Sequence, residues 1–182
     1  MKLSAVITNY NPDEPKLFEC FNSLKDKVDE LLIISSKQSS LGEKINMGFK
    51  ITHGDFIMIV NDDAVWESGD LNELCVPGFI TCPLINGQEI PFHAHVFCVP
   101  RYIYEATGGY DETYEQAYYD DWDFWRNVES KEFDKLSIPF VNFNHPPIGA
   151  TTLSKIAGIN DIRERNRIKY YEKWGANATF GA

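Results

Sequence analysis

The stretch Phe56-Ile57-Met58-Ile59-Val60-Asn61-Asp62-Asp63 decides the fold. Its apolar run shows none of the alternation of a half-exposed strand and suits a central strand covered on both faces, as in parallel sheets. The polar triplet marks the strand's carboxyl end, and in open α/β sheets ligands bind beyond such ends. Toward the N-terminus, Leu3 to Ile7 reads as a first buried strand and Leu31 to Ile34 as another. Between them Asn11-Pro12-Asp13 reads as a helix entry, with Pro tolerated in the first turn, and Leu17, Phe18, Phe21 and Leu24 recur at helical spacing. Ile45, Phe49 and Ile51 place a second helix, closed by His53-Gly54. The order strand–helix–strand–helix–strand predicts right-handed crossovers and a doubly wound, mostly parallel α/β sheet. Three polar clusters then face one crevice: Thr8-Asn9-Tyr10-Asn11, Ser35-Ser36-Lys37 and Asn61-Asp62-Asp63.

Downstream, Gly78 to Cys82, Ala94 to Val99 and Leu136 to Val141 read as strands. Asp120-Asp121 opens a helix running to about Val128, and Asp161 to Trp174 reads as a terminal helix closed by Gly175. A chain of 182 residues with 43% hydrophobic and 24% charged residues fits one domain, 1–182, with an ordinary core. A net charge of -10 disfavours nucleic acid, which needs clustered Lys and Arg, and repels an anionic membrane. No apolar run is long enough for a leader or an integral membrane segment. Cys20, Cys75, Cys82 and Cys98 form no C-x-x-C pair, so a cytoplasmic chain with reduced thiols is expected.

Three clusters are candidates for chemistry. Asp62 and Asp63 are adjacent carboxylates at a strand end; they repel each other and favour a bound cation, Mg2+ or Mn2+ by their hard oxygen chemistry. The alternative is a plain turn, which Asn and Asp readily form. In Tyr118-Tyr119-Asp120-Asp121-Trp122-Asp123-Phe124-Trp125, the acids either complement a helix dipole or form a crowded set with a raised pKa, fit for a general base. Aromatic rings among carboxylates also suit a sugar. His145 follows a strand and gains meaning only if its loop returns to Asp63. A zinc site from His93, His95 and Cys98 has poor geometry, because Cys98 points to the opposite face of the strand; His95 on an acceptor groove fits better. The basic run Arg163, Arg165, Arg167, Lys169 and Lys173 reads as a solvated helix face laced with Glu164 and Glu172.

Read in order, these segments resemble family 2 glycosyltransferases. Val6-Ile7-Thr8-Asn9-Tyr10-Asn11-Pro12 is similar to that family's first-strand motif. Gly42 to Asn46, Gly48, Gly54-Asp55 and Asn61-Asp62-Asp63 resemble the approach to its D-x-D-type motif. Arg101, Gly108-Gly109-Tyr110-Asp111-Glu112 and Asp120-Asp121-Trp122-Asp123 resemble its acceptor-side segments, and Tyr170 to Gly175 its ending. Each motif is weak singly, but five in register are specific.

The resemblance implies a GT-A fold, a donor half at about 1–65 and an acceptor half at about 66–182. It implies an inverting transfer from a nucleotide-sugar donor to a glycan or other hydroxyl acceptor. Asp63 would hold the divalent metal, with His145 as a further ligand. Thr8, Asn9, Tyr10, Asn11, Ser35, Asn46 and Asp62 would face the donor. Asp121 would be the catalytic base, and Gly109, Tyr110, Asp120 and Trp122 would meet the acceptor. The chain departs from the family at Ser35-Ser36-Lys37-Gln38, where an Asp is usual, at Ile45 in place of Arg, and at Asp120 in place of Glu. Two other functions compete. A sugar nucleotidyltransferase lacks its Gly-rich loop here, while a non-catalytic nucleotide-sugar or glycan-binding module is compatible with the altered Ser35-Ser36 loop. Dehydrogenase and P-loop signatures are absent from the sequence.

Overall fold

The computed structural model describes residues 1–11, 15–90, 95–146 and 156–175. Its strands are β1 (Leu3–Asn9), β2 (Glu30–Ser35), β3 (Phe56–Asn61), β4 (Val65–Ser68), β5 (Phe79–Ile85), β6 (Val96–Pro100) and β7 (Asp134–Asn144). Its helices are α1 (Pro15–Leu24), α2 (Leu41–Ile51), α3 (Arg101–Thr107), α4 (Asp120–Ser130) and α5 (Ile159–Trp174). The strands form one sheet in the order β2-β1-β3-β6-β5-β7-β4.

The apolar run of β3 is covered on both faces, as its composition requires. Phe56, Met58 and Val60 join a core with Cys20 and Leu24 of α1. Ile57 and Ile59 join a second core with Ile45 and Phe49 of α2, Ile103 of α3, and Phe124 and Trp125 of α4. Helix α2 comes close to the sheet because Gly48 has no side chain: a Cβ there would lie 2.6 Å from Val6 Cγ1. Strand β1 pairs in parallel with β2 and β3, setting Asn9 opposite Ser35 and Thr8 opposite Asn61. That register brings the three polar strand ends level.

The expected mostly parallel arrangement holds for β2-β1-β3, and the second half is mixed. Strand β6 is antiparallel to β3 and to β5, β7 is parallel to β5, and β4 is antiparallel to β7. β6 lies between β3 and β5, and the chain from β3 to β5 runs through short β4 and a 3-10 turn at Leu71–Leu74 rather than a helix. Strand β4 and helix α3, of four and seven residues, went unforeseen because both are short. Pro12, Asp13, His93 and Ala94 lie outside the described residues. Among the described residues no helix is long and apolar enough to cross a membrane.

Helix α5 secures the segment before α4. Gln116, Tyr118 and Tyr119 have φ of 40°, 72° and 68°, left-handed conformations that side chains resist. Asn166, 1% exposed, holds this segment. Its Oδ1 accepts from Glu115 N (3.0 Å), and its Nδ2 donates to the carbonyls of Glu115 (2.8 Å), Ala117 (3.0 Å) and Tyr118 (3.1 Å). The basic run is used the same way: Arg165 pairs with Glu115, and Lys173 with Asp111 and Asp123, while only Arg167 pairs with Glu164 along the helix. Asn166→Ala strands several buried backbone groups, each costing about 1–3 kcal/mol. A stability loss of about 3 kcal/mol or more is expected, read from the urea unfolding midpoint.

Candidate functional site

Beyond the carboxyl ends of β1 and β3 lies a crevice. Thr8, Tyr10, Asn61, Asp62 and Asp63 form its floor, Leu41 and Lys44 of α2 one wall, and Gln116 and Ala117 another. Asn9 organises the floor from beneath. It is 1% exposed; its Nδ2 donates to Asp62 Oδ2, and its Oδ1 accepts from Ser35 Oγ at 2.7 Å. Its carbonyl accepts from Ser36 N (3.2 Å) and from Lys44 Nζ (3.3 Å). A capping box, Ser40 with Glu43, fixes the first turn of α2 from which Leu41 and Lys44 reach the crevice.

The loop after β7 returns to Asp63. His145 Nε2 lies 3.0 Å from Asp63 Oδ1, with both side chains 4% exposed. Asn86 clamps the histidine's backbone, donating to His145 O (2.9 Å) and accepting from His145 N (3.0 Å). Nδ1 lies 2.6 Å from the carbonyl oxygen of Pro146, which can only accept, so Nδ1 carries the proton. With the proton on Nδ1, the buried Nε2 has none to give the carboxylate and makes no hydrogen bond among the described residues. A lone pair and a carboxylate oxygen converging in this way fit a shared cation, and the backbone contact at Nδ1 is the support that metal-bound imidazoles use. His95 stacks obliquely on His145, with ring centroids 4.4 Å apart, beside Asn61.

The acidic helix start lies next to this crevice. Asp120 is 2% exposed, and among the described residues no side chain hydrogen-bonds its carboxylate. Burial first, and then the neighbouring Asp121, push its pKa up to about 8. Asp121 is half-buried, and its Oδ1 accepts from Trp122 N at 2.9 Å. Lys44 feels both Asp62 and Asp120, but burial outweighs them and lowers its pKa. The Cys20 thiol, beneath Asp62 and Asp63, is pushed up by burial and by those charges.

No protein-family model and no curated protein sequence matches the chain. Among solved structures, the mannosyltransferase of Pyrobaculum calidifontis in complex with GDP-Man and Mn2+ matches 98% of this chain with a TM-score of 0.67 at 12% identity. The catalytic domain of Drosophila β1,4-galactosyltransferase 7 in complex with xylobiose matches 92% with a TM-score of 0.67 at 14% identity. The fold is that of the GT-A glycosyltransferases. GalNAc-T7 with UDP, GalNAc and Mn2+ is also similar, matching 100% of this chain with a TM-score of 0.61 at 11% identity. The chain spans 65% of the mannosyltransferase, 80% of the galactosyltransferase domain and 53% of GalNAc-T7.

Within this GT-A fold, Thr8, Tyr10, Asp62 and Asp63 line the crevice, with Asn9 and Ser35 just beneath and His145 against Asp63. Asn11 is half-buried and outside the lining, its Oδ1 without a partner among the described residues. Asn46, Gly109 and Tyr110 lie outside the crevice lining. Asn46 spends its amide on the chain, donating to Tyr110 O (2.9 Å) and Glu112 Oε1 (2.8 Å) and accepting from Tyr110 N (3.0 Å). Gly109 is glycine because a Cβ would meet Asn46 Oδ1 at 2.6 Å. Asn46 and Tyr110 line a different cavity that shares no residue with the crevice. Trp122 packs on Tyr119 and Tyr170. Asp120 and Asp121 are not in the crevice lining, though their helix starts just after Gln116 and Ala117, which are.

Sequence reading missed Lys44. The signal was its place on the stripe Leu41, Lys44, Ile45, Gly48, which faces the sheet at helical spacing. Asn86 and Asn166 carried no sequence signal.

The state of Asp120 is testable. Its pKa is raised above the unfolded value of 3.8, so native stability falls as pH rises from about 4 towards 8 and the buried carboxyl must ionise. Asp120→Asn removes that cost. Its Tm relative to wild type should be near unchanged at pH 4.5 and higher at pH 8, by roughly 2–4 °C per kcal/mol relieved. Thermal unfolding followed by circular dichroism at the two pH values checks this.

Proposed function

We propose that this chain transfers a sugar from a nucleoside-diphosphate sugar to an acceptor hydroxyl, with inversion at the anomeric carbon and the help of a divalent metal ion. The observation that carries the proposal is the convergence of the buried Asp63 Oδ1 and His145 Nε2, 3.0 Å apart, at the edge of a crevice beyond the sheet. Among the described residues no group of three or more His, Cys, Asp or Glu side chains could hold a metal ion. Two protein ligands are nonetheless in keeping with Mn2+ or Mg2+, which take one or two carboxylates and complete their shell with substrate phosphates and water. The similar mannosyltransferase and GalNAc-T7 were solved with Mn2+ beside GDP-Man or UDP.

When bound, the metal neutralises negative charge on the leaving diphosphate. The chain does the rest. Asp62, Thr8 and Tyr10 face the donor from the floor, and Gln116 and Ala117 border it from the side. Asp121 takes the proton of the acceptor hydroxyl as its oxygen bonds to the anomeric carbon and the bond to the diphosphate breaks. Asp121 suits that role better than its neighbour: Asp120 is fully buried and protonated near neutral pH, whereas Asp121 is half-buried.

Transfer or donor hydrolysis should therefore require Mn2+ or Mg2+ and stop with EDTA. Asp63→Ala and His145→Ala should each weaken donor binding with metal present by about tenfold or more, in line with the loss of a charge-assisted contact. Asp121→Asn should abolish turnover while binding donor as wild type does, read by calorimetry beside a product assay. Wild-type turnover by Asp121→Asn would rule out that base. Equal nucleotide affinity with and without metal would favour a binding module instead.

A further inference from the structure

Lys44 is a buried cation that the transfer mechanism leaves without a task. It is 5% exposed and lines the crevice. Two of its three N–H groups are spent, on the carbonyls of Asn9 (3.3 Å) and Ser36 (3.2 Å). Among the described residues it has no carboxylate at ion-pair distance, and the ring of Tyr10 lies 5.9 Å from Nζ. A buried ammonium with an unused donor at the wall of a cavity is poised for a ligand oxygen.

Its place in the sheet indicates which oxygen. The two carbonyls hold Nζ between the ends of β1 and β2, whereas Asp63 follows β3 on the other side of β1. With strands about 4.8 Å apart, the ammonium stands roughly 7–10 Å across the sheet from the Asp63–His145 pair. A ribose bridges that span. A donor whose diphosphate is held at Asp63 and His145 thus brings its base, not its phosphates, to Lys44. An ammonium only donates, so it can donate to a keto oxygen but finds no acceptor in an amino group.

We propose that Lys44 reads the nucleobase of the donor, selecting a keto oxygen at pyrimidine position 4 or purine position 6 over an amino group there. This rests on the donor reading given under Proposed function. It assigns to α2 a selectivity that Ser35 and Ser36, small hydroxyls at the end of β2, do not supply.

The test is the affinity ratio between bases of equal ring size, UDP against CDP and GDP against ADP, measured by calorimetry with Mn2+. Wild type should favour the keto member of the better-bound pair by about tenfold or more, as a hydrogen bond to a charged group warrants. Lys44→Met should bring that ratio close to one and leave Mn2+-dependent binding of pyrophosphate unchanged. A role confined to stability would lower Tm and leave the ratio intact, which overturns the inference. So would a wild-type ratio near one, a measurement that needs no variant, or an equal loss of pyrophosphate binding in Lys44→Met. Wild-type protein that binds none of the four nucleotides with Mn2+ would sink the donor reading as well, which separates that failure from a failure of base selection alone.

Discussion

The hydrogen-bonding of Asn9 is the constraint on which the crevice depends. One buried residue joins three strand ends and a helix: its amide nitrogen holds Asp62, its amide oxygen takes the Ser35 hydroxyl, and its backbone carbonyl takes Lys44 of α2. A buried amide is costly unless its capacity is filled, so its partners are fixed in position. Asp62 cannot swing away from the crevice without leaving an unpaired group behind. The parallel register of β1 with β2 and β3 makes this bridge possible by bringing the ends level.

Around that bridge the charges are arranged unevenly. Asp62 and Asp63 stand at the end of β3, Asp120 and Asp121 at the start of α4, and the charge of Asp62 favours the Lys44 ammonium against its burial. Lys44 relieves part of the repulsion but reaches neither set directly. His145 meets Asp63 without completing a hydrogen bond, and Asp120 escapes its neighbour by keeping its proton near neutral pH. Repulsion left over in this way is what a bound cation would relieve.

Most of the framework was legible in the sequence because its causes are local. The apolar run Phe56 to Val60 could only be a doubly covered strand, and the polar residues after β1, β2 and β3 had to collect at one end. Asp62, Asp63, Thr8 and Tyr10 followed from that. The placing of Asn46 was not legible: its amide is taken up by Tyr104, Tyr110 and Glu112, away from the crevice. Gly109 and Tyr110 resembled an acceptor motif while serving to anchor the chain to α2. A motif shows which residues a fold keeps, but not whether each faces ligand or neighbour.

By itself, then, the sequence determined an α/β chain with its polar strand ends gathered beyond β1 to β3, since hydrophobic periodicity and strand order settle which face is buried and where loops emerge. Only the tertiary structure decided that His145 meets Asp63, that Asn86 holds it there, that Asn166 secures the left-handed residues before α4, and that Asp120 rather than Asp121 is the wholly buried acid. Those outcomes depend on contacts between segments dozens of residues apart. Their energies come from exclusion of water and the filling of hydrogen bonds, and neither has a period that can be read along the chain.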